Sequence, residues 1–197
     1  MIEKTNTADT DAPLIIRVVS RTGKLLTLST SSFKKRFGVE YTARLIIDKS
    51  CSAQTSIDAV PDTSYYEQIR RTETAEVYIQ KISEAVGHGL FAYEEIEAGQ
   101  MIGEYTGLAR RKKNSDCSNA YIFNYTSDDV IDASKRGNSM RFINHSNHNA
   151  NTNYKRVMLD GVQHVIFIAL RRIAAGEQIL FDYGENYWKI RHAPQEI

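Results

Sequence analysis

Two polar stretches near the C-terminus carry side chains that can do chemistry. Residues 141–151 read RFINHSNHNAN, and Phe181-Asp182-Tyr183-Gly184 follows further on. In the first, Asn144-His145-Ser146 comes straight after the apolar pair Phe142-Ile143, and polar groups buried at such a point must find hydrogen-bond partners. In the second, a phenol sits beside a glycine at a strand end. A tyrosine hydroxyl titrates near ~10, so acting as a general base at neutral pH would need a large shift, whereas orienting an amine would not. Two upstream segments share this character. Val86-Gly87-His88-Gly89 brackets one residue with glycines, which let backbone approach a ligand closely because no Cβ intervenes. Glu104-Tyr105-Thr106-Gly107 again sets a phenol near a glycine. Read singly, G-x-G is a plain turn as readily as a cradle, His88 a loop residue, and E-Y-T-G core plus turn.

These residues need elements to position them. Residues 1–12 are polar and frayed in character. Residues 14–19 and 24–28 read as strands about an Arg21-Thr22-Gly23 turn, 31–37 as a serine-capped helical turn, and 41–47 as a third strand. Residues 48–64 read as a linker and 63–71 as helical. From Val77 onward short β runs alternate with glycines: 77–82, 90–93, 101–105, 121–125, 130–132, 157–159 and 165–169. Asp160-Gly161 marks a hairpin between the last two. Residues 110–119 read as a polar excursion, with Arg110-Arg111-Lys112-Lys113 a solvated loop before a nuclear import signal. The expectation is a mainly β fold with few short helices and a small N-terminal α/β appendage. Its divisions are 1–74 (role open), 75–188 (the chemistry) and 189–197 (a tail).

Composition narrows the function. The chain has 197 residues, 42% hydrophobic and 25% charged, with net charge +1. This is a globular balance without a global pull toward nucleic acid or membrane. Neither a signal peptide of the Sec type nor a membrane-spanning run is read. Cys51 and Cys117 are too few for a four-thiolate zinc site, and a reducing compartment fits. His145 and His148 lack cysteines to complete a zinc site, so no metal is expected. The G-x-S-x-G, phosphate-loop, H-E-x-x-H and dinucleotide signatures are missing, which removes the usual hydrolase, kinase and zinc-protease readings.

Together the pieces form one ordered series: GHGLFA, EYTG, AYIF, IDA, GNSMRFINHS, IFIALRRIAAGEQILFDYG. From about Ile82 to Tyr187 this resembles the SET-domain protein lysine methyltransferases, of the small stand-alone type found in viruses and intracellular bacteria. The resemblance implies a fold of small curved β-sheets with a C-terminal pseudoknot. It implies S-adenosylmethionine as cofactor and S-adenosylhomocysteine as product. By this likeness Val86, Gly87, His88, Tyr121, Arg141, Phe142, Asn144 and His145 form the cofactor wall. Tyr183 is the catalytic phenol, Tyr105 a second phenol of the lysine channel, and Phe181 a channel residue favouring dimethylation or trimethylation. Relatives with a zinc-bound lid carry a cysteine where this chain has Asn147, so closure falls to the C-terminal stretch. There Trp188 serves either as a lid over the adenine or as core.

The implied substrate is a lysine-rich protein, a histone or a bacterial histone-like protein, with Glu94, Glu95, Asp128 and Asp129 as candidate docking acids. Neither direct nucleic-acid binding nor a membrane partner is expected, and a homodimer is left open. The implied location is the cytosol, or a host nucleus if the source is an intracellular pathogen. The competing class is a non-catalytic peptide- or cofactor-binding module on the same fold. Retention of Tyr105, Asn144, His145 and Tyr183 weighs against it.

Overall fold

The computed structural model describes residues 14–51 and 63–188. The expected frayed start, most of the linker and the tail lie outside these residues. The chain opens with a hairpin of β1 (Ile16–Val19) and β2 (Leu25–Leu28), then α1 (Thr30–Phe37). The helix begins because the Ser29 side chain accepts from the Ser32 amide, and it ends at Gly38, whose φ of 70° continues no right-handed turn. The expected strand over 41–47 is instead two two-residue strands, β3 (Glu40–Tyr41) and β4 (Ile46–Ile47). They pair with different partners, so the chain must turn between them. A single 3-10 turn leads into α2 (Tyr66–Arg70).

The β-rich part follows as β5 (Val77–Ser83), β6 (Gly87–Ala92), β7 (Met101–Glu104) and β8 (Leu108–Arg111). Then come β9 (Ile122–Asn124), β10 (Asp129–Asp132), β11 (Arg136–Gly137) and β12 (Asn144–His145). The long hairpin β13 (Thr152–Leu159) and β14 (Val162–Ala169) turns at Asp160-Gly161 as expected, and β15 (Leu180–Phe181) and α3 (Glu185–Trp188) close the described chain. The fold is mainly β, in small sheets ordered β2-β1-β5-β6, β4-β8-β10-β9, β11-β3 and β12-β15-β13-β14-β7.

Residues 14–51 are α/β in content, but they join the following part as sheet strands rather than hanging from it. β1 pairs in parallel with β5, β3 with β11 and β4 with β8. One core runs across the expected division at residue 74: Ile16, Val18, Phe33 and Val39 pack in the same cluster as Ile79, Leu90, Ile102 and Phe167. The strand edges of β5 and β8 would otherwise present unpaired amides and carbonyls.

The crossing that matters for the site is in the last sheet. β15 lies between β12 and β13, which are consecutive in the chain, so the C-terminal strand threads under the loop joining them. Asn151, buried at the end of that loop, holds it there. Its Nδ2 donates to the Gln178 carbonyl (2.8 Å) and to Glu177 Oε1 (3.0 Å), while its Oδ1 accepts from the Leu180 amide (2.9 Å). A side chain here stands in for a missing strand neighbour.

The excursion at 110–119 needs correction. Arg110 lies on β8 and its guanidinium is bound by Asp116 and Asp132, each at 2.7 Å, with side chains 12–16% exposed. It is neither solvated nor free to serve as an import signal.

Candidate functional site

β12 is two residues long, and adjacent strand residues point to opposite faces. Asn144 turns one way, its Nδ2 donating to the His88 carbonyl at 3.1 Å. His145 turns the other, its Nδ1 accepting from the Tyr183 amide at 3.1 Å. One dipeptide thus ties G-H-G to D-Y-G, two segments far apart in sequence. The glycines of G-H-G play different parts. Gly87 has φ +82°, which favours glycine, whereas a Cβ on Gly89 would meet Ile82 Cδ1 at 2.6 Å and Gln178 Nε2 at 2.9 Å. The close approach at Gly89 is made by the protein's own side chains.

The phenols are buried and held. Tyr183 donates its hydroxyl to the Ile143 carbonyl at 2.7 Å. Burial, with the neighbouring Tyr187, Tyr105 and Tyr121 phenols, pushes its pKa far above the ordinary tyrosine value. Tyr105 donates to the Tyr121 carbonyl at 3.1 Å, and burial raises its pKa as well. Both hydroxyls are neutral donors whose own lone pairs stay available. At neutral pH neither is a base.

A cavity of about 130 Å³ opens between them, lined by Tyr105, Phe123, Tyr154, Phe167, Phe181 and Tyr183 together with Arg141 and Arg156. Phe181 is buried in its wall, packing on Phe167 (5.3 Å), Tyr154 (5.8 Å), Tyr183 (5.8 Å) and Phe123 (6.4 Å) between ring centroids. No acidic side chain is among the lining residues.

Arg141 is 8% exposed. Its Nε donates to the Ala133 carbonyl (3.0 Å) and its guanidinium lies 3.7 Å from the centroid of the Tyr121 ring. Burial lowers its pKa, and no carboxylate pairs with it among the described residues. Phe142 packs behind it. Trp188 on α3 stacks on Tyr183 (6.0 Å, 10°) and packs against His145 (4.8 Å), so it covers the D-Y-G phenol and the His145 ring from one side. Val86 is exposed at the entrance to G-H-G.

The structure therefore brings Tyr105, Arg141, Ile143, Phe181 and Tyr183 around one cavity, with Tyr121 stacked against Arg141, His145 bonded to Tyr183 and Asn144 bonded to His88. Two of the expected docking acids are engaged within the protein. Asp129 is buried and bonded to Thr126, so it offers no docking charge. Glu95 forms an ion pair with Arg172. His148 is exposed on the loop over β15. Sequence reading also missed Tyr154 and Arg156. They alternate with Asn153 and Lys155 on β13, and period-2 patterning extended upstream of Val157 would have put them on one face. A part-buried pair, Glu104 Oε1 and His164 Nδ1 at 2.7 Å, joins β7 to β14 beside Tyr105 in the chain and carried no sequence signal.

A family model described as SET domain matches residues 87–184. The human "Histone-lysine N-methyltransferase 2B" is 33% identical over 144 residues, 68% of this chain and 5% of that protein. "Histone-lysine N-methyltransferase EZH2" of Chaetomium thermophilum is 30% identical over 165 residues, 71% of this chain and 11% of that protein. A solved structure described as "ctPRC2 in an autoinhibited conformation bound to S-adenosylmethionine" superposes with a TM-score of 0.53 at 30% identity, covering 60% of this chain and 16% of that one. The chain thus spans only a small part of the length of these relatives.

Proposed function

Since this chain belongs to the SET-domain family, we propose that it is an S-adenosylmethionine-dependent protein-lysine N-methyltransferase acting on histone or histone-like basic proteins. The observation that carries this reading is the acid-free aromatic cavity with the Tyr183 hydroxyl fixed in its wall, tied through Asn144-His145 to the G-H-G loop.

The cofactor fits what the residues lack. Arg141 is a buried guanidinium without a carboxylate partner among the described residues, and an isolated buried charge is costly. S-adenosylmethionine carries a carboxylate that would satisfy it, beside the backbone of Val86, Gly87 and His88, the Tyr121 ring and the Asn144-His145 strand, with Trp188 as cover. When bound it supplies an electrophilic methyl group, so the protein's work is orientation, which can lower a barrier by roughly 7–11 kcal/mol.

The chain's own residues then act on the substrate amine. The cavity removes water and offers no carboxylate, while Arg141 and Arg156 repel a cation, so the lysine is favoured in its neutral form. The proton leaves to solvent before the amine is seated. Tyr183 and Tyr105 present phenol oxygens as acceptors that fix the amine lone pair in line with the methyl. The rings of Phe123, Phe167 and Phe181 enclose the alkyl stem.

The deciding experiment incubates the protein with labelled cofactor and a panel of histones and bacterial histone-like proteins, mapped by mass spectrometry. Methyl-lysine with wild type, reduced at least about 100-fold in Tyr183→Phe, is expected. Tight cofactor binding without transfer to any protein would mark a binding module instead.

A further inference from the structure

Residues 14–51 have no part in the reaction just described, yet α1 ends against the cofactor loop. The Phe37 ring lies 5.2 Å from His88, edge on at 87°, and 4.9 Å from Phe142. His88 lies 6.0 Å from Phe142, so these three rings form one contact. Phe33, one turn earlier and fully buried, backs Phe142 at 6.2 Å. The end of α1 is anchored in turn, because Arg36 Nη2 donates to the Val19 carbonyl at 3.2 Å and Gly38 closes the helix.

The middle residue of G-H-G is therefore held twice. Asn144 bonds its carbonyl, and the Phe37–Phe142 pair packs its side chain. Only the first hold comes from the β-rich part alone. Burial, then Arg36, Lys81 and Arg141, push the His88 pKa below its ordinary value against a weaker opposite pull from Glu84, so an uncharged imidazole meets the rings. His88 thereby has a role that neither a base nor a plain loop residue supplies.

We propose that α1 is a built-in support for the cofactor loop, with Phe37 a positioning residue that clamps the His88 ring and so sets the Val86–His88 backbone against S-adenosylmethionine. What the loop binds rests on the function proposed above, but the clamp itself does not.

The test compares wild type, Phe37→Ala and Phe37→Leu in the full chain. Titration with S-adenosylhomocysteine should show the dissociation constant rising about tenfold in Phe37→Ala. At saturating cofactor kcat should stay within about twofold, and Phe37→Leu should recover most of the loss. Amide hydrogen exchange should accelerate across residues 87–89 while that of β13 and β14 stays as in wild type. Unchanged exchange at 87–89, or a uniform rise over the whole protein, overturns the support role. So does a fall in kcat with cofactor affinity intact. If wild type binds no S-adenosylhomocysteine, the methyltransferase reading fails, and the exchange comparison alone still decides for or against the clamp.

Discussion

Tyr183 illustrates how one side chain acquires its chemistry. Free tyrosine titrates near ~10, and burial moves Tyr183 and Tyr105 further up, so neither phenol ionises across the working range. In the proposed reaction the only group whose charge must change is the substrate amine. The logarithm of kcat/KM should therefore rise with pH at a slope of about one between roughly pH 7 and 9, with no falling limb from the phenols. A bell-shaped profile with its alkaline limb below pH 9 would contradict this. In the cavity wall Phe181 packs against Tyr154, and we propose that a phenylalanine here, lacking the hydroxyl a tyrosine would add, favours dimethylation or trimethylation. Phe181→Tyr should shift products toward monomethyl-lysine, read by mass spectrometry of a time course. A wild-type enzyme that makes only monomethyl product, unaltered by the substitution, would remove Phe181 as the determinant.

At the scale of elements, the threading of β15 between β12 and β13 decides whether the site exists. It depends on Asn151, whose side chain makes three hydrogen bonds that no neighbouring strand replaces. Asn151→Ala strands a buried amide and carbonyl and should cost about 3 kcal/mol of stability, measured by urea denaturation. Glu177 adds to this. Its carboxylate, bound first by Arg171 and then by the Ala174 amide and Asn151, titrates at about 2. With its folded pKa depressed, its contribution is present above the ordinary carboxylate range and is lost as pH falls toward 2. Its partial exposure keeps that contribution small.

For the molecule as a whole, the N-terminal strands and α1 are part of the core. Ile16, Val18, Phe33 and Val39 are each 0–2% exposed. Burying four such side chains is worth roughly 6–12 kcal/mol, comparable with the ~5–15 kcal/mol that separates most folded proteins from unfolded ones. A chain begun at residue 75 should therefore lose its cooperative thermal transition, as followed by circular dichroism. A sharp melt like that of the full chain would show that the β-rich part stands alone. Alkaline pH tests the same packing. Burial raises Tyr41 to about 12, Tyr105 and Tyr183 higher still, so their stabilising effect is intact below about pH 10 and lost as pH rises through their folded values.

Much of this protein was legible in its residues. Alternation marked most strands from Val77 on, Asp160-Gly161 marked the long hairpin, and the ordered motifs marked the family, because these depend on local period, turn chemistry and spacing. What the tertiary structure alone decided depends on contacts between distant segments. It split 41–47 into two strands because β3 and β4 have different partners, and it turned Arg110 from a loop residue into a half-buried ion-pair centre. It also brought Tyr154 and Arg156 to the cavity and set α1 against His88. Such contacts leave no periodic trace in a single sequence. Asn144 and His145 stand between the two cases: their types announced a site, and only the two-residue strand showed that each faces a different motif.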